Sequence, residues 1–427
     1  MSEQQIFAKC AWRLIPFMMV LYIINFFDRV NVGFAALTMN KDLGFSPTVY
    51  GFGAGVFFVG IAIFCVPSTV MVAKVGARRW TFLILAIWGL ISASCALIRT
   101  PAAFYVLRFL LGVAEAGFVP GMVYYLSCWF PPSYRGRYLA SFLTAAPLSI
   151  ILGGPLSGLI LTAMDGFAGI RGCQWLFVIE GAPATVLAFA VLKWLPDGPA
   201  HASWLTLSEK EIVAGNLARH DVSEHSDFWR ALLDFRVLAL GFINAGILVG
   251  TYGSGLWMPQ FVQAMGFSTL ATGFVVALPY LATMGVMVAW GRSSDAKGDR
   301  IWHVALASLI AGAGFAVASV STSNLLSMIA LTFGVMGIYC TLGPLISLPS
   351  EFLGNTAAAG GIGLVYALAS LGAFVGPFLI GLLKEQTGGY AAGMMVLAAG
   401  MIVAAGAALM LGRAMSARTA LVKTLAL

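Results

Sequence analysis

Two short stretches carry ionisable residues where the surrounding chain is otherwise apolar. The first, Leu21 to Leu37, reads LYIINFFDRVNVGFAAL and sets Asp28 beside Arg29. The second, RFLLGVAE, spaces Arg108 and Glu115 two helical turns apart along one stripe, with Gly112 between them allowing close approach. A charge at the centre of a bilayer costs roughly 2.5 to 3.5 kcal/mol on insertion scales, so such residues mark wet cavities and function. On the first helix Asn25, Asp28, Arg29 and Val32 fall at i, i+3, i+4 and i+7, which predicts one shared polar face. Two arginines and two carboxylates then look toward one cavity, and their formal charges cancel. Because guanidinium binds carboxylate bidentately, protonating Asp28 or Glu115 would free an arginine for an anionic ligand. On this reading Asn25, Arg29 and Arg108 hold the anion, and Asp28 and Glu115 carry the proton. The competing reading makes Asp28 with Arg29, or Arg108 with Glu115, structural pairs that lock the first helix to the fourth.

The elements that must position these groups are membrane helices. Of 427 residues, 60% are hydrophobic and 10% charged, and mean hydropathy is +0.92, values no soluble chain of this length tolerates. Twelve apolar segments of about 18 to 25 residues match the length needed to cross hydrocarbon. Their approximate spans are 14–37, 48–73, 80–98, 103–127, 138–162, 174–194, 235–262, 270–291, 301–320, 324–348, 359–384 and 390–412. The fold class expected is therefore an all-α membrane protein. The first apolar run is too long for a secretory signal and is read as a retained first helix.

A net charge of +7 raises nucleic acid as a partner, but the placement of the basic residues removes it. Both tails fall on one side of an even number of spans. Eighteen lysines and arginines lie on that side, against Lys41, Arg99, Arg171 and Lys384 on the other, with Arg29 and Arg108 inside spans. The positive-inside rule then puts both termini in the cytoplasm, with the chain multi-pass in a lipid bilayer. The six cysteines, at 10, 65, 95, 128, 173 and 340, have no metal-ligand or CxxC spacing and read as small packing residues. No metal and no cofactor is expected.

Shifting the chain by 222 residues superposes it on itself. Gly44-Phe45-Ser46 matches Gly266-Phe267-Ser268, Gly51-Phe52 matches Gly273-Phe274, and Gly76, Arg78 and Trp80 match Gly298, Arg300 and Trp302. Gly112 matches Gly334, Phe130 matches Phe352, and Gly154-Pro155 matches Gly376-Pro377. Two parallel six-helix repeats are implied, with a ligand site near midplane between them. The expected domains are 1–194, a cytoplasmic linker at 195–234, and 235–427. Inside the linker, LTLSEKEIVAGNLARH predicts a surface helix capped by Ser208 with Glu211, and His201, His220 and His225 are expected to be solvated.

Loop eight to nine, GRSSDAKGDR, fits a G-x-x-x-D-x-x-G-x-R pattern through Gly291, Asp295, Gly298 and Arg300, in which the aspartate would engage a neighbouring helix end and basic side chains. Loop two to three keeps Gly76, Arg78 and Arg79 but has Ala73 in place of that aspartate. With Arg78 and Arg135 the second-half loop makes an expected cytoplasmic gate. Glu180, about two turns into the sixth span, is open between function and packing. Tyr252, Trp257, Tyr280, Tyr339 and Tyr366 are candidates to line the second half of the cavity, packing being the alternative. Gly250, Gly253 and Gly255 before Pro259 predict a weakened outer part of the seventh span. GxxxG at Gly51 to Gly55 reads as close helix packing.

NFFDRVNVGFA, RFLLGVAEAGFVPG and WFPPSYRGR together resemble the anion:cation symporter family of the major facilitator superfamily, closest to its tartrate and phthalate type permeases, and the resemblance runs over nearly the whole chain. It implies the major facilitator fold, proton coupling at Asp28 and Glu115, and anion binding at Arg29 and Arg108. Some relatives have an arginine in the seventh span. This chain has none, so its second half must use hydroxyl, amide or aromatic groups, Tyr252 among them. The expectation is a monomeric symporter of the inner (plasma) membrane that imports a small organic anion with protons: a hydroxy-dicarboxylate, an aromatic acid or a sugar acid. LGGPLSG at Leu152 to Gly158 partly resembles an antiporter motif, which keeps a proton-coupled exporter as an alternative. A membrane sensor is a second alternative. An enzyme is disfavoured because no nucleophile, metal or phosphate-binding constellation is present.

Overall fold

The computed structural model describes residues 2–219, 234–348 and 355–425. His220, His225 and Phe352 lie outside the described residues. Within them there is no strand, and twelve spans are long and apolar enough to cross a membrane. The first half comprises α1 (Glu3–Leu43), α2 (Pro47–Val75), α3 (Ala77–Ser94), α4 (Pro101–Glu115), α5 (Phe118–Ser127), α6 (Pro132–Leu143), α7 (Ala145–Ala163) and α8 (Gly172–Trp194). A surface helix α9 (Leu207–Arg219) follows. The second half comprises α10 (Phe235–Ala264), α11 (Thr269–Lys297), α12 (Arg300–Val320), α13 (Asn324–Ser347), α14 (Asn355–Thr387) and α15 (Ala391–Leu425). Helices α4 and α5 form one broken span, and α6 and α7 another.

The repeat is visible in the helix starts. Ser46 and Ser268 sit at equivalent N-caps with ψ 161° in both, accepting the amides of Val49 and Ala271. The glycines before them, Gly44 and Gly266, both have positive φ, which lets the chain turn sharply between spans. Gly76 and Gly298 repeat that feature one loop later.

Three expectations are corrected. Helix α1 starts at Glu3 rather than near residue 14, because Ser2 and Gln5 form a capping box and the extra turns have their own packing: Phe7 lies 4.7 Å from the Tyr134 ring. The linker helix is capped by Thr206 and Glu209, not Ser208 and Glu211: the Glu209 amide donates to Thr206 Oγ1 at 3.3 Å and the Thr206 amide to Glu209 Oε2 at 2.9 Å. Lys9 also donates to both Glu209 oxygens at 2.9 Å, which clasps α9 to α1 and holds that carboxyl below its usual range. Helix α10 runs unbroken past Gly250 and Gly253, whose missing side chains make room for Met401 and Leu397.

At the end away from the tails, the halves meet backbone to backbone. A Cβ on Gly51 would lie 2.6 Å from the Pro377 carbonyl and 3.2 Å from Gly381 Cα, and one on Gly273 would lie 2.3 Å from the Gly154 carbonyl. These two seams, α2 on α14 and α7 on α11, are related by the 222-residue offset of Gly51 to Gly273. Tyr50 Oη adds a hydrogen bond to the Leu256 carbonyl at 2.7 Å, and Glu385 accepts Ser46 Oγ at 2.8 Å and the Thr48 amide at 2.9 Å. The GGP segment near Leu152 thus serves as inter-half packing.

Candidate functional site

The buried charges divide into two groups. Arg29 Nε donates to Glu115 Oε2 at 2.9 Å, and Asn25 Nδ2 donates to the same oxygen at 2.7 Å. Arg29 Nη1 then crosses between the halves to donate to Tyr252 Oη at 3.0 Å. Asp28 faces the other way. Its carboxylate accepts Trp88 Nε1 and Ser92 Oγ from α3, and Asn31 Nδ2 at 3.3 Å. Arg108 reaches only the Asp28 backbone carbonyl, at 3.5 Å, and lies 4.7 Å over the Phe57 ring. Among the described residues it has no carboxylate within ion-pair distance, and its Nε and Nη2 have no hydrogen-bond partner.

This pairing differs from both sequence readings, and helix geometry explains why. At about 100° per residue, Asn25 and Arg29 stand about 40° apart around α1, whereas Asp28 and Arg29 stand about 100° apart. One edge of that face turns to α10 and the other to α3. A cavity of about 70 Å³, room for a few waters, lies between the halves and is lined by Arg29 and Glu115 with Tyr22, Phe26 and Phe58. The second half contributes Asn244, Thr251, Tyr252, Tyr339, Tyr366 and Ser370, with no charged group among the described residues. Asn25, Asp28 and Arg108 do not line this cavity, which corrects the expectation of four charges facing one chamber. They are enclosed in the first half, at 0% exposure each. Trp257 and Tyr280 are also absent from the lining: Trp257 packs on Tyr50 and Tyr280 on Tyr339.

Glu115 is placed by a break inside what the apolar pattern presents as a continuous span. It is the last residue of α4, after which Ala116 and Gly117 leave helical geometry, Gly117 at φ 81°. Pro120 has no N–H to donate to the Ala116 carbonyl, and only glycine takes the left-handed turn at 117 without strain. Irregular backbone at membrane depth is tolerated where it is buried or lines a cavity, and Gly117 and Pro120 line this one. Gly117 followed by Pro120 is the signal in the sequence that marks it. Helix α4 approaches α2 so closely at Gly112 that a Cβ there would lie 1.8 Å from the Phe57 carbonyl.

Among the described residues no hydrogen bond or ion pair joins Asp295 to Arg78 or Arg135. Asp295 is exposed on the last turn of α11 with no partner among the described residues, and Asp299, not Asp295, caps α12 through the Trp302 amide at 3.2 Å. Gly298 ends α11 in the left-handed region, while Gly291 lies within that helix and Arg300 begins α12. Arg135 donates to the Phe130 and Ser127 carbonyls at 3.3 and 3.4 Å, closing the C-terminal end of α5. In the first half, where Ala73 replaces the aspartate, Asp197 accepts the Arg78 amide at 3.0 Å and caps α3 from the far end of α8. Glu180 accepts Ser157 Oγ at 2.7 Å, tying α8 to α7.

A family model described as Major Facilitator Superfamily matches residues 18–377. The chain belongs to that superfamily. It is 46% identical to a protein of Agrobacterium vitis named "Putative tartrate transporter", over 93% of this chain and 89% of that one. It is 38% identical to a "Quinolone resistance transporter" of Acinetobacter baumannii, over 94% and 93% of the two chains. Among solved structures, an inward-facing bacterial homolog of the human lysosomal transporter Spinster superposes with TM-score 0.73 at 16% identity, covering 94% of this chain and 97% of that one. The Escherichia coli xylose transporter XylE gives 0.71 at 14%, covering 92% and 96%. The superfamily fold of two parallel six-helix repeats is therefore the fold of this chain, and it is a membrane transporter rather than an enzyme.

Proposed function

We propose that this transporter imports a small organic anion, a hydroxy-dicarboxylate such as tartrate, together with protons across the bacterial inner membrane, both termini being cytoplasmic. One observation carries the reading: the cation lining the central cavity, Arg29, is bonded to the carboxylate lining it, Glu115. Protonating Glu115 releases the guanidinium for a substrate carboxylate, which it can grip bidentately. Deprotonation restores the pair and expels the anion. Asp28 and Arg108 then act behind the cavity as fixed counter-charges, a narrower role for Asp28 than proton carrier. The name of the Agrobacterium relatives supports the substrate class.

The test is uptake by proteoliposomes under an imposed proton gradient, with a panel of carboxylates. Wild-type protein accumulates its substrate. Glu115→Gln loses accumulation but keeps exchange, and Arg29→Ala loses substrate-dependent thermal stabilisation. Glu115→Gln vesicles that still concentrate substrate overturn the assignment. The similarity to the quinolone resistance protein favours a second reading, export by proton antiport. In that case an inward proton gradient empties the vesicles instead of filling them.

A further inference from the structure

Of the four basic residues at the end away from the tails, two line one cavity between the halves, one from each half. Lys41 in the last turn of α1 and Lys384 near the end of α14 line one cavity of about 370 Å³ with Asn40, Gln260, Gln263 and Tyr390. That volume falls in the range of small-molecule sites, roughly 300 to 1,000 Å³. Among the described residues no carboxylate lines it. The acids next in sequence are engaged elsewhere: Asp42 faces Arg171 at 3.9 Å, and Glu385 holds Ser46 and Thr48. Lys384 Nζ donates to Tyr390 Oη at 2.6 Å and lies 4.2 Å from that ring and 5.2 Å from the Trp257 ring. Among the described residues neither lysine has a carboxylate within ion-pair distance. Asn40 Nδ2 donates to Gln260 Oε1 at 3.5 Å. Two lysines thus border an open volume whose described lining contains no carboxylate.

The position of this cavity gives it a purpose. Helix α1 carries Arg29 and, eleven residues later, Asn40, about 16 Å along the axis at 1.5 Å per residue. Helix α10 carries Tyr252 and, two turns on, Gln260. Between the two levels lies a plug of Tyr50, Leu256 and Trp257, with Gly33 of α1 against the Leu256 carbonyl. The same two helices therefore line both chambers and the barrier between them.

We propose that the Lys41–Lys384 cavity is a second, outer subsite for the carboxylate substrate, which is captured there before the plug opens and passes it to Arg29. The inference rests on the anion-import reading of the centre. Lysine suits transient capture, because its ammonium is a point charge on a flexible stem, able to hold an anion and release it, where a guanidinium fork would clamp it. Charge of one sign between low-dielectric walls also concentrates the opposite ion from solution.

The experiment is uptake of radiolabelled tartrate by proteoliposomes with the tail end inside, comparing wild type, Lys41→Gln, Lys384→Gln, the double variant and Lys384→Arg. The half-saturating outer concentration rises about threefold for each single change, the scale of an exposed ionic contact. It rises about tenfold or more for the double variant, because both ammonium groups hold the same anion, while Lys384→Arg keeps half-saturation at or below the wild-type value and slows turnover, because the fork holds the anion longer. The half-saturating inner concentration, measured by efflux, stays within about twofold, and raising salt from about 20 to about 200 mM shrinks the outer effect. A double variant with wild-type outer half-saturation overturns the subsite, as does an equal rise on both faces. Wild-type protein that moves no carboxylate overturns the central reading as well, so the two failures are told apart by the wild-type control.

Discussion

Arg29 answers to both halves of the molecule through one guanidinium. Its Nε serves Glu115 in the first half and its Nη1 serves Tyr252 in the second. Tyr252→Phe removes only the second bond, a hydrogen bond to a charged group worth about 1.5 to 3 kcal/mol. The expected outcome is a folded protein whose halves part more readily at that level, with higher exchange rates and weaker substrate-dependent thermal stabilisation. Unchanged exchange and stabilisation would show that the contact does not restrain the cycle. That these groups matter was legible in the sequence, since ionisable residues cost too much inside apolar helices to persist there without a use. Their partners were not. Asp28 and Arg29 are neighbours in the chain, but the step around the helix sends one toward Trp88 and Ser92 and the other toward Glu115. Only the side chains that α3 and α4 extend toward α1 decide which carboxylate takes the arginine.

At the scale of elements, span positions were readable from apolar length alone, whereas the one start read from capping chemistry, Ser208 with Glu211, falls two residues from the observed Thr206 and Glu209. The interruption after Glu115 was harder to see. Gly117 and Pro120 signalled it, but the run around them is apolar enough to pass for one helix. Asp197 was illegible for a different reason: it caps α3 from a segment 119 residues away in sequence, and a cap supplied through space leaves no local pattern. Asp197→Ala removes that acceptor and is expected to cost about 1 kcal/mol, read as a lowered thermal midpoint, while Asp197→Asn keeps most of the stability. An Asp197→Ala protein with a wild-type midpoint would show that water caps α3 equally well.

At the scale of the molecule, the halves are sealed at one end by two glycine seams that the repeat places in register. Gly273→Val puts a branched side chain where a single Cβ would already lie 2.3 Å from the Gly154 carbonyl. The expected result is a population driven toward the form open at that end, a shift of about tenfold for each 1.4 kcal/mol of lost closure. A Thr251→Cys reporter, on the central cavity beneath the plug, in a cysteine-free background then reacts faster with an external maleimide, and turnover falls. Unaltered labelling would mean that the seam does not set the conformational balance.

Among the described residues the second half brings no charge to the central cavity, and this has a further consequence. If the proton and the carboxylate are both handled by α1 and α4, the facing wall is free to vary without touching the energetics of coupling. Changes at Asn244, Thr251 or Ser370 would alter which cargo is accepted while leaving the engine intact, a route by which one ancestral machine can be refitted for new molecules.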